Sequence, residues 1–317
     1  MFMQRIILVA PLFYDYWKHI KESFEKQGFE VSFVTDRMGK WRDAIISLKS
    51  SSEQEIIYAD VIFERLKKLQ GNWDYLIVIK GDYFNEKHLS YLRKQNPNIK
   101  TIMYQWDSID NHDYTRIAPL FDKVFTFDFK DAETYGYNYL PLFYTEDIKP
   151  VNPGFSEDID LLLVGSYNKP RYEFSTRLEE LKKEVNVKAY IVVPPTLYLR
   201  KQILDNKLGI RRLNDIRFTP VNRLELMNLY RRSKVFVDIC VENQTGMSMR
   251  TIEAYGMNKK LLTSNKYISQ DPWVKEIQAL DSTADDKSVL SFIYSPSVIY
   301  KNRTKLSIKE WVNALLS

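Results

Sequence analysis

A single cysteine, Cys240, stands in 317 residues, so no disulfide framework can form within the chain and the fold rests on packing. It sits in the apolar run VFVDIC with no histidine near it in sequence, which makes it a small core residue rather than a nucleophile. Histidine is nearly as scarce. His19, His88 and His112 show no metal-ligand spacing, which argues against a zinc site. No GxxxxGK followed by Ser or Thr is present, which argues against a P-loop kinase or ATPase. The first apolar run exits through ILVAPLFYDYW instead of GxGxxG, so the dinucleotide fingerprint fails on its own motif. Long apolar stretches are missing too. MFMQRIILVA offers only about six consecutive apolar residues before Pro11, too few for a signal peptide or a membrane span, and a cytoplasmic location is the expectation.

What is present is an ordinary charged fraction of 27% beside 44% hydrophobic and a high 14% aromatic content, enough for a large core. At ~100–200 residues per domain, the length favours two. Charge is spread unevenly. Residues 1–150 carry 20 Lys and Arg against 22 Asp and Glu, and residues 151–317 carry 26 against 19. The basic second half is the natural host for an anionic ligand. A concentration of cations runs from Arg200 through Lys201, Lys207, Arg211, Arg212, Arg217, Arg223, Arg231 and Arg232 to Lys234. It reads as a solvated face, or as attraction for phosphate or an anionic membrane surface. Nucleic acid is not expected, because no nucleic-acid module is visible.

Apolar runs alternate with helical patterns through both halves. RIILVA (5–10) reads as a buried strand, DYWKHIKESFEKQG (15–28) as a helix with a glycine stop, and FEVSFVT (29–35) as a strand. That βαβ spacing implies parallel strands. DYLIVIKG (74–81), a helix near 85–95, IKTIMYQW (99–106), KVFTFD (123–128) and YNYLPLFY (137–144) continue the pattern. IKPVNPGFSEDI (148–159), with two prolines and a glycine, is the expected linker. The alternation restarts with DLLLVGS (160–166), a helix over 172–185, VKAYIVV (187–193), IRFTPV (216–221), a helix over 223–233, VFVDIC (235–240), a helix near 248–255 and KLLTSN (260–265). Two parallel α/β domains facing a cleft are expected, 1–150 and 151–317, with a tail helix at 307–317 that is free to pack back on the first.

Two loops at predicted strand exits carry the chemistry. In VENQTGMSMRTIEAYG, Gly246 can approach a ligand closely or take a positive φ, and Gln244, Thr245 and Ser248 add side-chain donors. The amides of residues 246–249 at a helix N-terminus suit a diphosphate. Arg250 can neutralise charge, and Glu253 can accept hydrogen bonds from vicinal hydroxyls such as those of a ribose. Taken by spacing alone, Arg250 and Glu253 are equally an i,i+3 surface pair. The place of the loop at a strand's carboxyl end favours the ligand. The second loop, LLLVGSYNKPRYEF, sets Gly165, Ser166, Tyr167, Lys169 and Arg171 at another such exit. DID at 158–160 falls ahead of its strand, in the linker, where a metal pair does not belong.

GMSMRTIEAYGMNKKLLTSN resembles the R-x-x-E-A-x-x-x-G segment near the end of the donor domain of group 1-like GT-B glycosyltransferases, and the chain resembles enzymes of bacterial cell-surface polysaccharide and lipopolysaccharide biosynthesis. Further stretches carrying the likeness are GDYF, YQWDS, FDKVFTFDFKDAETYG and YLPLFY. The resemblance implies two Rossmann-like domains. The second binds a nucleotide-diphosphate sugar, usually without a metal or other cofactor, and the first receives a glycan or lipid-linked acceptor, which leaves room for peripheral contact with the inner membrane face. Glu253 matches the glutamate that bonds the donor ribose. Gln244, Thr245, Gly246 and Met247 match the loop facing the diphosphate and the sugar, and Gly165 and Ser166 match the other phosphate loop. Thr245 stands where many retaining members carry a first glutamate, which leaves retaining and inverting outcomes both open. For inversion, Asp107 is the first candidate base, with Asp82 and Asp128 behind it. Arg250 and Arg171 would stabilise the leaving group. The rival functions are a nucleotide-sugar 2-epimerase of the same fold and a non-catalytic two-domain sugar-binding protein.

Overall fold

The computed structural model describes residues 3–151, 154–195, 198, 215–241, 243–274, 276–297 and 299–317, apart from the side chain of Lys40. The chain divides into unit 1, Met1–Thr145 with Ile308–Ser317, and unit 2, Glu146–Ser307. Arg200, Lys201, Lys207, Arg211 and Arg212 of the basic run lie outside the described residues.

Unit 1 starts with β1 (Arg5–Val9), α1 (Tyr16–Lys26) and β2 (Glu30–Val34). The glycine stop after α1 is physical: Gly28 takes φ 90°, and the Phe29 amide returns to the Phe24 carbonyl. Two helices follow, α2 (Lys40–Ile46) and α3 (Ser51–Lys67), the second opened by a Ser50–Glu53 capping box. Then come β3 (Tyr75–Ile79), α4 (Glu86–Gln95), β4 (Lys100–Gln105), β5 (Lys123–Thr126), α5 (Phe129–Tyr135) and β6 (Asn138–Tyr139). The strands form one parallel sheet in the order β2-β1-β3-β4-β5-β6. All five residues of β3 are buried, as expected of a parallel strand covered on both faces.

The last helix of the chain, numbered α10 here (Ile308–Leu316), belongs to this unit. Its Trp311 is 2% exposed and lies 4.8 Å from the Tyr104 ring and 4.6 Å from that of Phe143.

Unit 2 runs β7 (Ile159–Ser166), α6 (Lys169–Leu181), β8 (Val187–Val192), β9 (Ile216–Arg217), α7 (Arg223–Arg232), β10 (Ser233–Asp238), α8 (Met249–Gly256), β11 (Lys260–Thr263), β12 (Ala279–Asp281) and α9 (Asp286–Tyr294). Its sheet is also parallel, in the order β12-β11-β10-β7-β8-β9. Leu161, Leu163, Val235, Val237 and Leu262 form its core with Leu178 and Leu181 of α6. Each such aliphatic side chain contributes ~1.5–3 kcal/mol by leaving water.

Several expected elements differ. YNYLPLFY keeps only Asn138–Tyr139 as strand and IRFTPV only Ile216–Arg217, because prolines 141 and 220 remove ladder donors. Asp160 belongs to β7 rather than to the linker. Its carboxylate accepts the Asn186 amide at 2.8 Å and pairs with Lys234 at 2.7 Å, while Asp158 pairs with Arg232. Among the described residues no cluster of three His, Cys, Asp or Glu is arranged to hold a metal, and no helix is long and apolar enough to cross a membrane.

Candidate functional site

In unit 2 the first strand, β7, has β8 on one side and β10 on the other. The strand order therefore reverses between β7 and β10, and in open α/β sheets ligands bind at the carboxyl ends flanking such a switch. Both candidate loops leave the sheet there.

The exit of β7 leads through Gly165, Ser166, Tyr167 and Asn168 into α6. Asn168 caps the helix by accepting from the Arg171 amide at 2.7 Å. The Arg171 side chain folds back across Gly165, where a Cβ would sit 3.0 Å from its Nε. Its guanidinium donates to the carbonyl of Ser166 and, at 2.9 Å, to that of Ile239 beyond β10. The close approach that Gly165 permits is thus made by an arginine of the chain itself.

The exit of β10 is built around Asp238, 5% exposed. Its Oδ2 accepts from Ser248 Oγ at 2.5 Å, Thr251 Oγ1 at 2.8 Å and Cys240 Sγ at 3.4 Å. Ser248 also caps α8 by accepting from the Thr251 amide. Asn265 reaches across from the end of β11 and donates to the carbonyls of Thr245 (3.4 Å) and Gly246 (3.2 Å). The loop is held from both sides, and Thr245 and Met247 are each 1% exposed. Gln244 is turned onto the loop, its Nε2 donating to the Gly246 carbonyl at 2.9 Å. The left-handed residue is Asn243, at φ 66°, not Gly246. Gly256 remains inside α8, and Asn258, at φ 57°, makes the turn after it. Burial pushes the Cys240 thiol well above its usual range, with Asp238 beside it adding to the shift, which disfavours the thiolate.

Arg250 and Glu253 are not a surface pair. Arg250 Nη2 donates to the Val164 carbonyl at 2.7 Å, its Nη1 lies 3.6 Å from Glu253, and its guanidinium lies 5.1 Å from the Tyr230 ring centroid. Glu253 is 2% exposed. It accepts from the Tyr230 hydroxyl at 2.6 Å and from Arg223 at 3.1 Å, and Arg223 grips Asp147 through two contacts of 2.8 Å. The carboxylate expected to face vicinal hydroxyls is instead enclosed by two arginines and a tyrosine. That is the arrangement a buried charge requires.

A reciprocal brace results. Arg171, from the first turn of α6, bonds the β10 exit, and Arg250, from the helix after β10, bonds the β7 exit. Two guanidinium groups and the N-terminal end of α8 meet at one strand boundary, beside the carboxylates of Asp238 and Glu253. Of the expected ligand-facing groups, the fold brings Gly165, Ser166, Arg171, Ser248 and Arg250 together. It turns Thr245, Met247 and Glu253 inward, because the loop packs onto Asp238 and Asn265. Tyr167 is half-buried, and its ring lies 6.0 Å from that of Tyr172.

In unit 1, Asp107 stands just beyond β4, 3.0 Å from Lys80 Nζ. Lys80 is also 3.4 Å from Asp82, and Asp82 is 3.3 Å from His112 Nδ1. Burial would lower the Lys80 ammonium, but Asp107 and Asp82 outweigh it and raise it. Asp128 is the N-cap of α5, 1% exposed, accepting from the Lys130 and Asp131 amides, so it is committed to the helix. Sequence reasoning gave no site role to Asp238, Tyr230 or His112, and read Arg223 only as one of a run of cations. Only Asp238 left a local trace, a lone carboxylate closing an apolar strand.

No protein-family model matches the chain, and no curated protein sequence matches it. Solved structures do. The N-terminal domain of the Candida albicans trehalose-6-phosphate phosphatase superposes with a TM-score of 0.59 at 13% identity, over 99% of this chain and 96% of that one. A UDP-N-acetylglucosamine 2-epimerase from Rickettsia bellii superposes at 0.58, with 12% identity over 99% and 95%. A glycosyltransferase from Rickettsia africae superposes at 0.53, with 13% identity over 100% and 94%. The fold is therefore GT-B: two parallel six-stranded α/β units.

Proposed function

We propose that the protein is a glycosyltransferase that binds a nucleotide-diphosphate sugar at the β7/β10 boundary and moves the sugar to a glycan acceptor, lipid-linked, in surface-polysaccharide assembly. The observation that carries this reading is the reciprocal Arg171–Arg250 brace at the switch point. A diphosphate leaving group gains negative charge as its bond to the anomeric carbon breaks. Fixed guanidinium groups and a helix N-terminus stabilise that charge without a metal. Asp107 is the proposed base, taking the acceptor hydroxyl's proton as the new glycosidic bond forms. Peripheral contact with the inner membrane face and a cytoplasmic location belong to the same reading.

The GT-B fold is shared with the Rickettsia bellii epimerase, which keeps a 2-epimerase as the second reading. Incubation with labelled nucleotide sugars separates the two. Release of nucleoside diphosphate with transfer to an acceptor supports the transferase, and conversion of the sugar while still attached to its nucleotide supports the epimerase. Turnover of no donor would remove both.

A further inference from the structure

Helix α2 of unit 1 turns an apolar face to solvent. Its inner side is fixed. Ile46 is buried, and the Asp43 carboxylate accepts the Met38 and Gly39 amides at 3.0 and 3.1 Å and the Tyr58 hydroxyl of α3 at 3.2 Å. On the opposite side Trp41, Ile45 and Leu48, at i, i+4 and i+7, are 88%, 65% and 87% exposed, and Ile56 near the start of α3 is 63% exposed. That spacing is the stripe an amphipathic helix normally buries. Beside it a groove runs between the two helices, lined in part by Met38 and Arg42 on one side and by Ile57, Val61 and Lys68 on the other. A cluster of large apolar side chains left in water and rimmed by charge marks an interaction surface.

The charges around the stripe decide what covers it. Arg42 and Lys49 border it on the α2 side, and Glu53, Glu55, Asp60 and Glu64 are exposed along α3. An anionic membrane surface would meet those carboxylates together with the stripe, whereas interfacial helices carry Lys and Arg at such positions. Mixed signs suit a protein partner instead. Lys49 is already 3.5 Å from Glu53 within the chain. Arg42 and Glu55 are exposed and lie outside the ion pairs made among the described residues. A basic and an acidic group flanking one apolar stripe are self-complementary. About a two-fold axis, Arg42 of each copy meets Glu55 of the other while the stripes cover one another.

We propose that two copies of this chain pair through the α2–α3 face, with Trp41, Ile45 and Leu48 at the centre and reciprocal Arg42–Glu55 pairs at the rim. The pairing is independent of what either sheet binds. Sedimentation velocity of the full chain across a concentration series tests it, and a reversible monomer–dimer equilibrium is expected. Trp41→Ala and Leu48→Glu each weaken the dimer by at least about tenfold, with the thermal midpoint of the dilute monomer unchanged, because both side chains are exposed in a single copy. Arg42→Glu and Glu55→Arg each weaken it as well, since either reversal alone sets like charges opposite one another, and the double exchange restores it. Flotation with vesicles of phosphatidylglycerol and phosphatidylethanolamine runs beside the sedimentation. A chain that stays monomeric at every concentration, a dimer that survives both Trp41→Ala and Leu48→Glu, or a double exchange that fails to recover the dimer overturns the proposal. A monomer that floats with the vesicles and is released by Leu48→Glu overturns it in favour of a membrane surface.

Discussion

Unit 1 and unit 2 are built on the same plan, a six-stranded parallel sheet whose order reverses once, yet different side chains stand at the two reversals. In unit 1, between β1 and β3, Asp36 and Asp82 stand beside Lys80 and Tyr83. In unit 2, between β7 and β10, two arginines cross-brace the strand exits, Asp238 is spent on the loop and Glu253 lies 3.6 Å from Arg250. The same backbone position thus carries different groups in the two units, and the side chains at the strand ends make the difference.

The first way to break the comparison is through the packing of unit 1. Trp311→Ala empties a fully buried site against Tyr104 and Phe143 and should cost about 3–5 kcal/mol. Chemical denaturation followed by a unit 1 probe should show the loss, while nucleoside-diphosphate binding in native conditions is retained. The second targets the carboxylate of unit 2. Asp238→Ala leaves the half-buried Ser248 and the buried Thr251 hydroxyls without their acceptor, at about 1–3 kcal/mol, and should weaken nucleotide binding by loosening the loop. Unchanged stability and unchanged affinity together would deny it the organising role.

Ser248→Ala removes a cap and should cost about 1 kcal/mol, with a smaller loss of affinity than Asp238→Ala. The least effect is a pH limb in unit 1. Burial raises the Asp36 carboxyl above its ordinary value of 3.8, despite Arg37 beside it. The unfolded chain then loses this proton at lower pH than the folded one, so stability falls as pH climbs through 3.8 toward the raised folded value. Asp36→Asn should flatten that limb in an unfolding titration over the acidic range; an unaltered slope would show that the carboxyl is not the source.

Much of the sheet skeleton was legible because parallel strands buried on both faces read as unbroken apolar runs, as YLIVI and IDLLLV do. Helix α3 carried a readable Ser50–Glu53 capping box and a buried Tyr58, Ile62 and Leu66 face that went unread, whereas α2 left no such signal. Trp41, Ile45 and Leu48 project outward at 88%, 65% and 87% exposure, so their spacing does not mark a core face. At the candidate site the loop positions could be read from glycine and polar residues after apolar runs. The roles within them could not, because Glu253 takes its partners from Arg223 and Tyr230, 30 and 23 positions earlier. Gly165 illustrates the same limit. Its small size was visible, but that Arg171 would fill the space it leaves was a property of the folded chain.

The most direct measurement is calorimetric titration of UDP, GDP and ADP into the full-length chain and into Arg250→Ala and Arg171→Ala. The account predicts that one nucleoside diphosphate binds without added metal, and that each arginine variant weakens it by about 1.5–3 kcal/mol, roughly 10- to 150-fold, with the fold intact. Binding of none of the three, or an affinity indifferent to both arginines, would contradict it.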